Sequence, residues 1–426
     1  MLRLLRTNRD LRLVFIAQVI SFLGDWFVFV ALAGFVDDAT DSELLVSLVL
    51  VSFALPSFLA SPLAGPVVDR VDRRRLLIVV SGLQALAASG LLLLSAERIW
   101  VAFVFQGLVA ALAAFVKPAI DAAVPNLVRS PEELRTANAL FGSTWGVMLA
   151  VGAGLGGLFS QTFGRRAAIV ADVATFVIAG LVIMLVRRPM QRAAAAGFEG
   201  GAARVRPIAD MRESVEVARG DRVILALMSS KATFAIGAGV VSQLAVLASD
   251  VHGAGDRGRG LLLAARGLGA GLGPFIATHW VRGSLPRVLT LCGWASVMFA
   301  VTYVGAAWAT TLALTAALVL LAHLGGGAQW TLSTYGLQLR VDDSVLGRVM
   351  AGDFAIVTLV LSLTSIGAGA VSQWIGVQLA ITTFAVIAAV AGTTYLVLTR
   401  RLRHTVDDAA AEGAGAPGVP NRAIHH

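Results

Sequence analysis

Stretches of about 20 apolar residues recur along the whole chain, and each is long enough to cross a hydrocarbon core as a helix. Such stretches leave few solutions. In lipid every backbone N–H and C=O must be satisfied within the segment, which selects helices. A transmembrane barrel would alternate polarity over short segments instead. We read twelve spans, at 12–36, 44–66, 76–95, 99–121, 138–160, 167–186, 223–248, 259–281, 288–305, 309–336, 346–375 and 378–399. Charged residues make up 14% of the 426, too few to cover a soluble protein of this length. The fold class is all-α and polytopic.

Positive charge orients the spans. Of 34 Lys and Arg, 26 fall in segments that share one side if both termini are cytoplasmic. The connections on the other side carry Arg98, Arg165, Arg166, Arg257 and Arg259, and the first of them is acidic, with Asp37, Asp38, Asp41 and Glu43. The net charge of +8 therefore reads as topology and contact with anionic lipid. No aromatic-rich basic domain points to nucleic acid. Cys292 is the one cysteine, which excludes an internal disulfide or a thiolate cluster, and the six histidines lack ligand spacing. No metal or other cofactor is expected. The first apolar segment is too long for a cleavable signal, so it is expected to stay as the first helix.

The longest connection divides the chain. We expect a six-helix bundle over 1–186, a linker over 187–222, a second bundle over 223–400 and a disordered tail over 401–426. Within the linker, 193–203 is Ala/Gly-rich, and Val205, Ile208, Met211, Val215 and Ala218 recur with the period of a surface amphipathic helix. The halves show a faint repeat. Pro125-Asn-Leu-Val-Arg129 and Leu337-Gln-Leu-Arg340 each follow an apolar span and precede another.

Between spans 2 and 3 lies Gly65-Pro-Val-Val-Asp69-Arg70-Val-Asp72-Arg73-Arg74-Arg75. Its spacing, Gly-x-x-x-Asp-Arg-x-x-Arg-Arg, resembles the corresponding loop of major facilitator superfamily transporters. The resemblance covers about residues 8–400. Asn8-Arg9-x-Leu11-Arg12 with Ser21-Phe-Leu-Gly24-Asp25-Trp26, the 125–139 connection and the 331–349 connection make the chain similar to bacterial enterobactin, macrolide and multidrug exporters. There are departures. Asp72 replaces the usual Gly, Ala153 replaces the Pro of an antiporter motif at Gly152–Gly157, and Phe103 stands where many proton antiporters have Arg. The resemblance implies two pseudo-symmetric six-helix bundles in a bacterial inner (plasma) membrane, both termini cytoplasmic, and a monomer.

Charges inside the spans are Asp25, Lys117, Asp121, Asp172, Lys231, Arg266 and Asp353. Each costs on the order of 2.5–3.5 kcal/mol at the bilayer centre. Both lysines of the chain are among them, beside 32 arginines elsewhere or in spans. Unlike Arg, Lys can lose its proton when desolvated, so Lys231 and Lys117 join Asp25 as proton-coupling or substrate-binding candidates. The resemblance places Asp25 toward a central cavity. A structural partnership of Asp25 with Lys231 or Gln18 is the alternative. Lys117 and Asp121 share a helix face.

The resemblance also assigns a cytoplasmic latch: Gly65, Asp69, Arg70, Arg73 and Arg74, with Asp121 bonded to Arg73 or Arg74. Asp353 would join it through Arg348 or through the charged loop. Asp172 and Arg266 form an outer gate pair or reach the headgroups. Phe22, Trp26, Gln18, Trp145, Phe234, Gln243 and Trp330 line a cavity or pack between helices.

The expected partners are a small-molecule substrate, protons and the lipid bilayer. No nucleotide loop or catalytic set occurs, since Gly267-x-Gly269-x-Gly271 lies inside a span; an enzyme is not expected. The leading reading is proton-coupled export of an amphipathic drug or siderophore-like molecule by alternating access. An importer or lysophospholipid translocator of the same fold is the alternative, and a non-transporting scaffold or sensor a distant one.

Overall fold

Polar caps set the helix ends in a computed structural model that describes residues 2–191, 216, 219–281, 284–341 and 343–403. The amphipathic segment expected over 205–218 falls almost wholly outside these residues, as does the tail from 404. So do the side chains of Gly65, Asp69, Arg70, Trp145 and Arg348, among others. Twelve helices among the described residues are long and apolar enough to span a membrane. We number them α1 (Arg9–Thr40), α2 (Glu43–Arg70), α3 (Arg73–Gly90), α4 (Trp100–Leu127), α5 (Pro131–Phe163), α6 (Arg165–Met184), α7 (Arg222–Val251), α8 (Gly255–Val281), α9 (Leu285–Ala307), α10 (Leu312–Arg340), α11 (Asp343–Ile375) and α12 (Val377–Leu398).

Most run past the hydropathy limits because a polar residue starts them. Asn8, Ser42, Asp72, Ser130, Asp221, Ser284 and Thr311 each accept a backbone N–H of the first turn. α7 departs from regularity. It tightens to a 3-10 turn at Gly239–Gln243 and widens to a π turn at Leu247–Val251. A side chain at Gly239 would meet the Thr364 backbone at 2.4–2.5 Å, so α7 changes pitch where it crosses α11.

In the first half, α1 packs on α5 and α6, and α3 on α4 and α6; in the second, α9 packs on α10 and α12, and α8 on α10. The halves meet along two seams, α5–α8 and α2–α11. The faint repeat in the sequence has a geometric counterpart. Gly164 (φ 87°, ψ 157°) joins α5 to α6, and Gly376 (φ 82°, ψ 157°) joins α11 to α12. The same one-residue turn, in a conformation that favours glycine, closes both halves. Leu83, Leu86, Val104, Leu181, Val390 and Val397 are exposed on the outer surface, as hydrocarbon contact requires. We call the end carrying the described terminal helices basal and the opposite end distal.

Asp221 ties the start of α7 to the end of α10. Its carboxylate accepts from Val223 (2.7 Å) and Ile224 (3.4 Å) backbone N–H groups and from Arg340 Nε (2.7 Å). Partial burial works against its charge, but the Val223 N–H and then Arg340 outweigh it and hold the carboxyl below the usual range. A depressed carboxyl stabilises the fold above its unfolded pKa, and that contribution fades as pH falls through the folded one. Asp221→Ala is expected to cost about 1 kcal/mol and Asp221→Asn less, with the gap closing in acid. Thermal unfolding in detergent at neutral and acidic pH checks this.

Candidate functional site at the interface of the halves

Among the described residues, the hydrogen bonds and ion pairs joining the two halves cluster at the distal end. Arg259, near the start of α8 and 1% exposed, is the centre. One terminal nitrogen donates to Asp37 (2.6 Å) and Asp38 (2.9 Å) at the end of α1, and the other to Asp256 (2.7 Å). Arg165, at the start of α6, donates to Asp256 (2.8 Å) and Asp38 (2.7 Å). Ser160 of α5 donates to Asp256, and Ser249 of α7 to Asp37. Two guanidinium groups and three carboxylates thus bridge the halves.

Beside this network, Gln243 of α7 donates to Ser47 of α2 (2.7 Å), and Ser47 meets Ser242 at 3.1 Å. Gln243 is therefore a seam residue, fully buried, and not part of a cavity wall. Glycines let the helices approach. A side chain at Gly157 of α5 would lie 2.5 Å from the Asp256 carbonyl oxygen and 2.8 Å from Gly260 Cα. Small residues at such crossings allow close helix packing.

In the first half, Asp25 of α1 is half-buried and Asp172 of α6 fully buried. Their helices touch at Gly24, where a side chain would lie 2.4 Å from Asp172 Oδ1. Asp25 is the next residue along, so both acids lie at this one crossing of α1 and α6. Thr175 is the hydroxyl beside Asp172, and no described cation bonds to either acid. Gln18, two turns before Asp25, has a buried Oε1 without a hydrogen-bond partner.

The expected pairing of Asp172 with Arg266 is not observed. Asp172 faces α1, while Arg266 lies in the other half beside Tyr303 and His323. Nor does Asp121 bond Arg73 or Arg74. Asp121 takes Lys117 Nζ at 2.5 Å, one helical turn away in an exposed pair. Arg73 donates to the Ala122 (2.8 Å) and Met190 carbonyls, and Arg74 to the Ile183 and Met184 carbonyls at the end of α6. Carbonyls at a helix C-terminus have no intrahelical donor and attract cations, which explains the partners of Arg74.

In the second half, Lys231 of α7 is bonded to Asp353 of α11, each side chain 3% exposed. Lys231 also donates to Thr334 (2.8 Å), and its ammonium lies 5.3 Å from the Trp330 ring centre. Asp353 is thus bonded to Lys231, while the side chains of Arg348, Asp69 and Arg70 lie outside the described residues. A desolvated amine and carboxylate neutralise one another where no water does. Next to them Gln329 links Ser230, Thr233 and Ser296. Phe234 stacks edge-on against Phe299 (5.3 Å) and His323 (6.3 Å), and Trp26 against Phe29 (5.5 Å). Phe22 is half-buried. Sequence reasoning missed His323, Tyr303 and the whole distal network. The signal for the network was present: acids at 37–41 and arginines at 257–259 occupy loops of the same side.

Residues 14–293 match the model of the Major Facilitator Superfamily. The chain belongs to the Major Facilitator Superfamily. This member is similar to an uncharacterized MFS-type transporter, YfiS of Bacillus subtilis (strain 168), at 24% identity over 390 residues, spanning 88% of this chain and 90% of that one. Its fold is shared with a bacterial homolog of the human lysosomal transporter Spinster, in an inward-facing and unoccupied conformation. The TM-score is 0.73 at 15% identity, over 92% of this chain and 96% of the other. The nucleoside transporter NupG matches with a TM-score of 0.72 at 10% identity, over 91% and 99%. The superfamily member is a secondary transporter, built on the all-α twelve-span fold.

Removing one partner of a buried ion pair costs roughly 3–5 kcal/mol. Arg259→Gln should therefore open the distal seal. With Cys292 replaced by Ala, a cysteine placed at Leu263 is expected to react at least tenfold faster with an impermeant maleimide in the Arg259→Gln background. Unchanged labelling would show that the network does not hold the seal.

Proposed function

We propose that the protein exports an amphipathic small molecule, drug or siderophore-like, by alternating access coupled to protons. The Asp25–Asp172 pair carries this reading. Two acids lie at one helix crossing inside the spans with no bonded cation among the described residues, and an intramembrane ionisable group without a counter-charge is read as a site for a transported ion. Lys231 is a poorer candidate, since Asp353 already neutralises it. Lys117 is exposed and paired with Asp121.

The charge distribution sets the sidedness of the proposal. The basal end is arginine-rich and by that rule cytoplasmic, so the bonded distal end is closed to the outside. The membrane is that of a bacterial cell, and both termini are inside. In the alternate state the distal network parts and the basal end closes. The Gly65–Arg75 loop is the proposed latch of that state. The departures at Asp72 and Ala153 leave the exporter branch to be decided by experiment. Import through the same site is the competing direction.

Proteoliposomes with an imposed pH gradient test the coupling, using a panel of dyes and siderophores. Gradient-driven flux is expected, lost at least tenfold in Asp25→Asn and strongly reduced in Asp172→Asn. Flux indifferent to the gradient and to Asp25→Asn would rule the coupling out, and its direction separates export from import.

Asp69→Asn is expected to cut flux severalfold while the protein still binds the transported compound. Loss of binding in a folded Asp69→Asn protein would place Asp69 in the substrate site instead of a latch.

A further inference from the structure

We infer that Arg266 receives the anionic group of the transported molecule, so that the substrate class is an amphipathic organic anion. The inference deepens the transporter reading and rests on it, but not on proton coupling. Arg266 sits on α8 two turns beyond Arg259, on the same helix face. Its situation is the reverse of its neighbour's. Arg259 is matched by three aspartates. Arg266 makes no hydrogen bond or ion pair with a described side chain, and its Nε is buried without a partner.

The polar groups nearest to it do not serve as counter-ions. Tyr303 and His323 are bonded to each other (2.9 Å) and wrapped by Phe234 and Phe299. An unpaired guanidinium at this depth is costly and calls for a partner or a ligand. It does not escape to lipid. Leu261, Leu268 and Leu272 mark the lipid-exposed stripe of α8, and at 100° per residue Arg266 projects from the opposite side. The residue as a whole stays partly accessible although its Nε is buried, and the proposed ligand would reach its terminal nitrogens from between the halves.

The surroundings specify more than charge. Phe234 packs on Gly326 of α10, between His323 and Trp330, which share a face two turns apart. Phe234 and Trp330 are both half-buried. A row of one cation and two aromatic faces thus runs from Arg266 toward the basal end. Carboxylates and phosphates match the planar fork of a guanidinium, and an alkyl or aryl body matches the two rings. Such a molecule would place its anion beneath the distal seal and its apolar body below.

The test is binding to the purified full-length protein in maltoside detergent, read as thermal shift and by titration. The probes are octanoate, octanol, octyltrimethylammonium and sodium chloride. Octanoate is expected to raise the midpoint of the wild type, and the other three are not. Arg266→Gln should weaken octanoate binding at least tenfold, and Arg266→Lys severalfold, because the charge stays but the fork is lost.

Equal stabilisation by octanol or octyltrimethylammonium, a full shift from chloride alone, or unaltered octanoate binding in Arg266→Gln each overturns the proposal. If Arg266→Gln does not fold, the wild-type probe order and Arg266→Lys still decide it. Octanoate selectivity together with gradient-indifferent flux would sink the proton coupling and leave this site standing. Gradient-driven flux without anion selectivity would do the opposite.

Discussion

Charge inside hydrocarbon needs a partner, and this constraint sorts the polar residues of the structure into two kinds. Lys231–Asp353 and the Arg259 network are matched sets, with opposite charges in bonding contact. Asp25–Asp172 and Arg266 are unmatched. Matched sets hold helices together. Unmatched ones have no structural partner to explain them, and in a transporter an intramembrane ionisable group is read as a site for what moves. The division follows from bonding geometry and owes nothing to position along the chain.

Depth then decides which matched set can switch. The Arg259 network lies at the ends of α1 and α8 and bridges the halves. When the halves part there, water returns to its carboxylates and guanidinium groups, so much of the desolvation penalty is recovered. Lys231 and Asp353 lie within one half, on α7 and α11, so rocking of the halves does not pull them apart. Breaking them would strand two charges in a dry interior. The first set is suited to a gate, the second to a brace. The close glycine approach of α5 and α8 lets the gate seal at backbone distance, and only small displacements are needed to undo packing so tight.

Much of this was legible in the sequence because it rests on local pattern. Apolar length gave the twelve helices but not their starts, which capping side chains such as Asn8, Ser130 and Ser284 set outside the apolar limits. The loop at 65–75 and its companions pointed to the superfamily. Side-chain partnership was less legible. Asp121 was expected to reach an arginine of the loop, but Lys117 is one turn away, Arg74 bonds carbonyls at the end of α6, and Arg73 bonds the Ala122 and Met190 carbonyls. Asp353 and Lys231 are separated by 122 positions, and nothing in either span names the other. Both were singled out as costly charges, so the chemistry was visible while the pairing was not. His323 escaped notice because a single histidine in an apolar helix carries no pattern of its own; only Tyr303 and Arg266 give it meaning.

The two halves are not equivalent in what they carry, and this bears on coupling. The carboxyl pair belongs to the first half, the unmatched guanidinium to the second. Two helices connect these interior groups to the gate. α1 carries Asp25 within the span and Asp37 at its distal end; α8 carries Arg259 at its distal end and Arg266 two turns deeper. The bond between Asp37 and Arg259 ties the two helices together. In the proposed coupling, a proton taken up at Asp25–Asp172 would change the packing of α1 on α6 at Gly24, where no slack exists for a side chain. In the same scheme, an anion taken up at Arg266 supplies the counter-charge that this guanidinium otherwise lacks. Each event biases the same Asp37–Arg259 bond from its own side of the seam. No separate relay is then needed, because a rigid helix transmits a displacement along its length. Coupling in this scheme is a competition of two ligands for one gate, and it fails if either helix moves without its charged end.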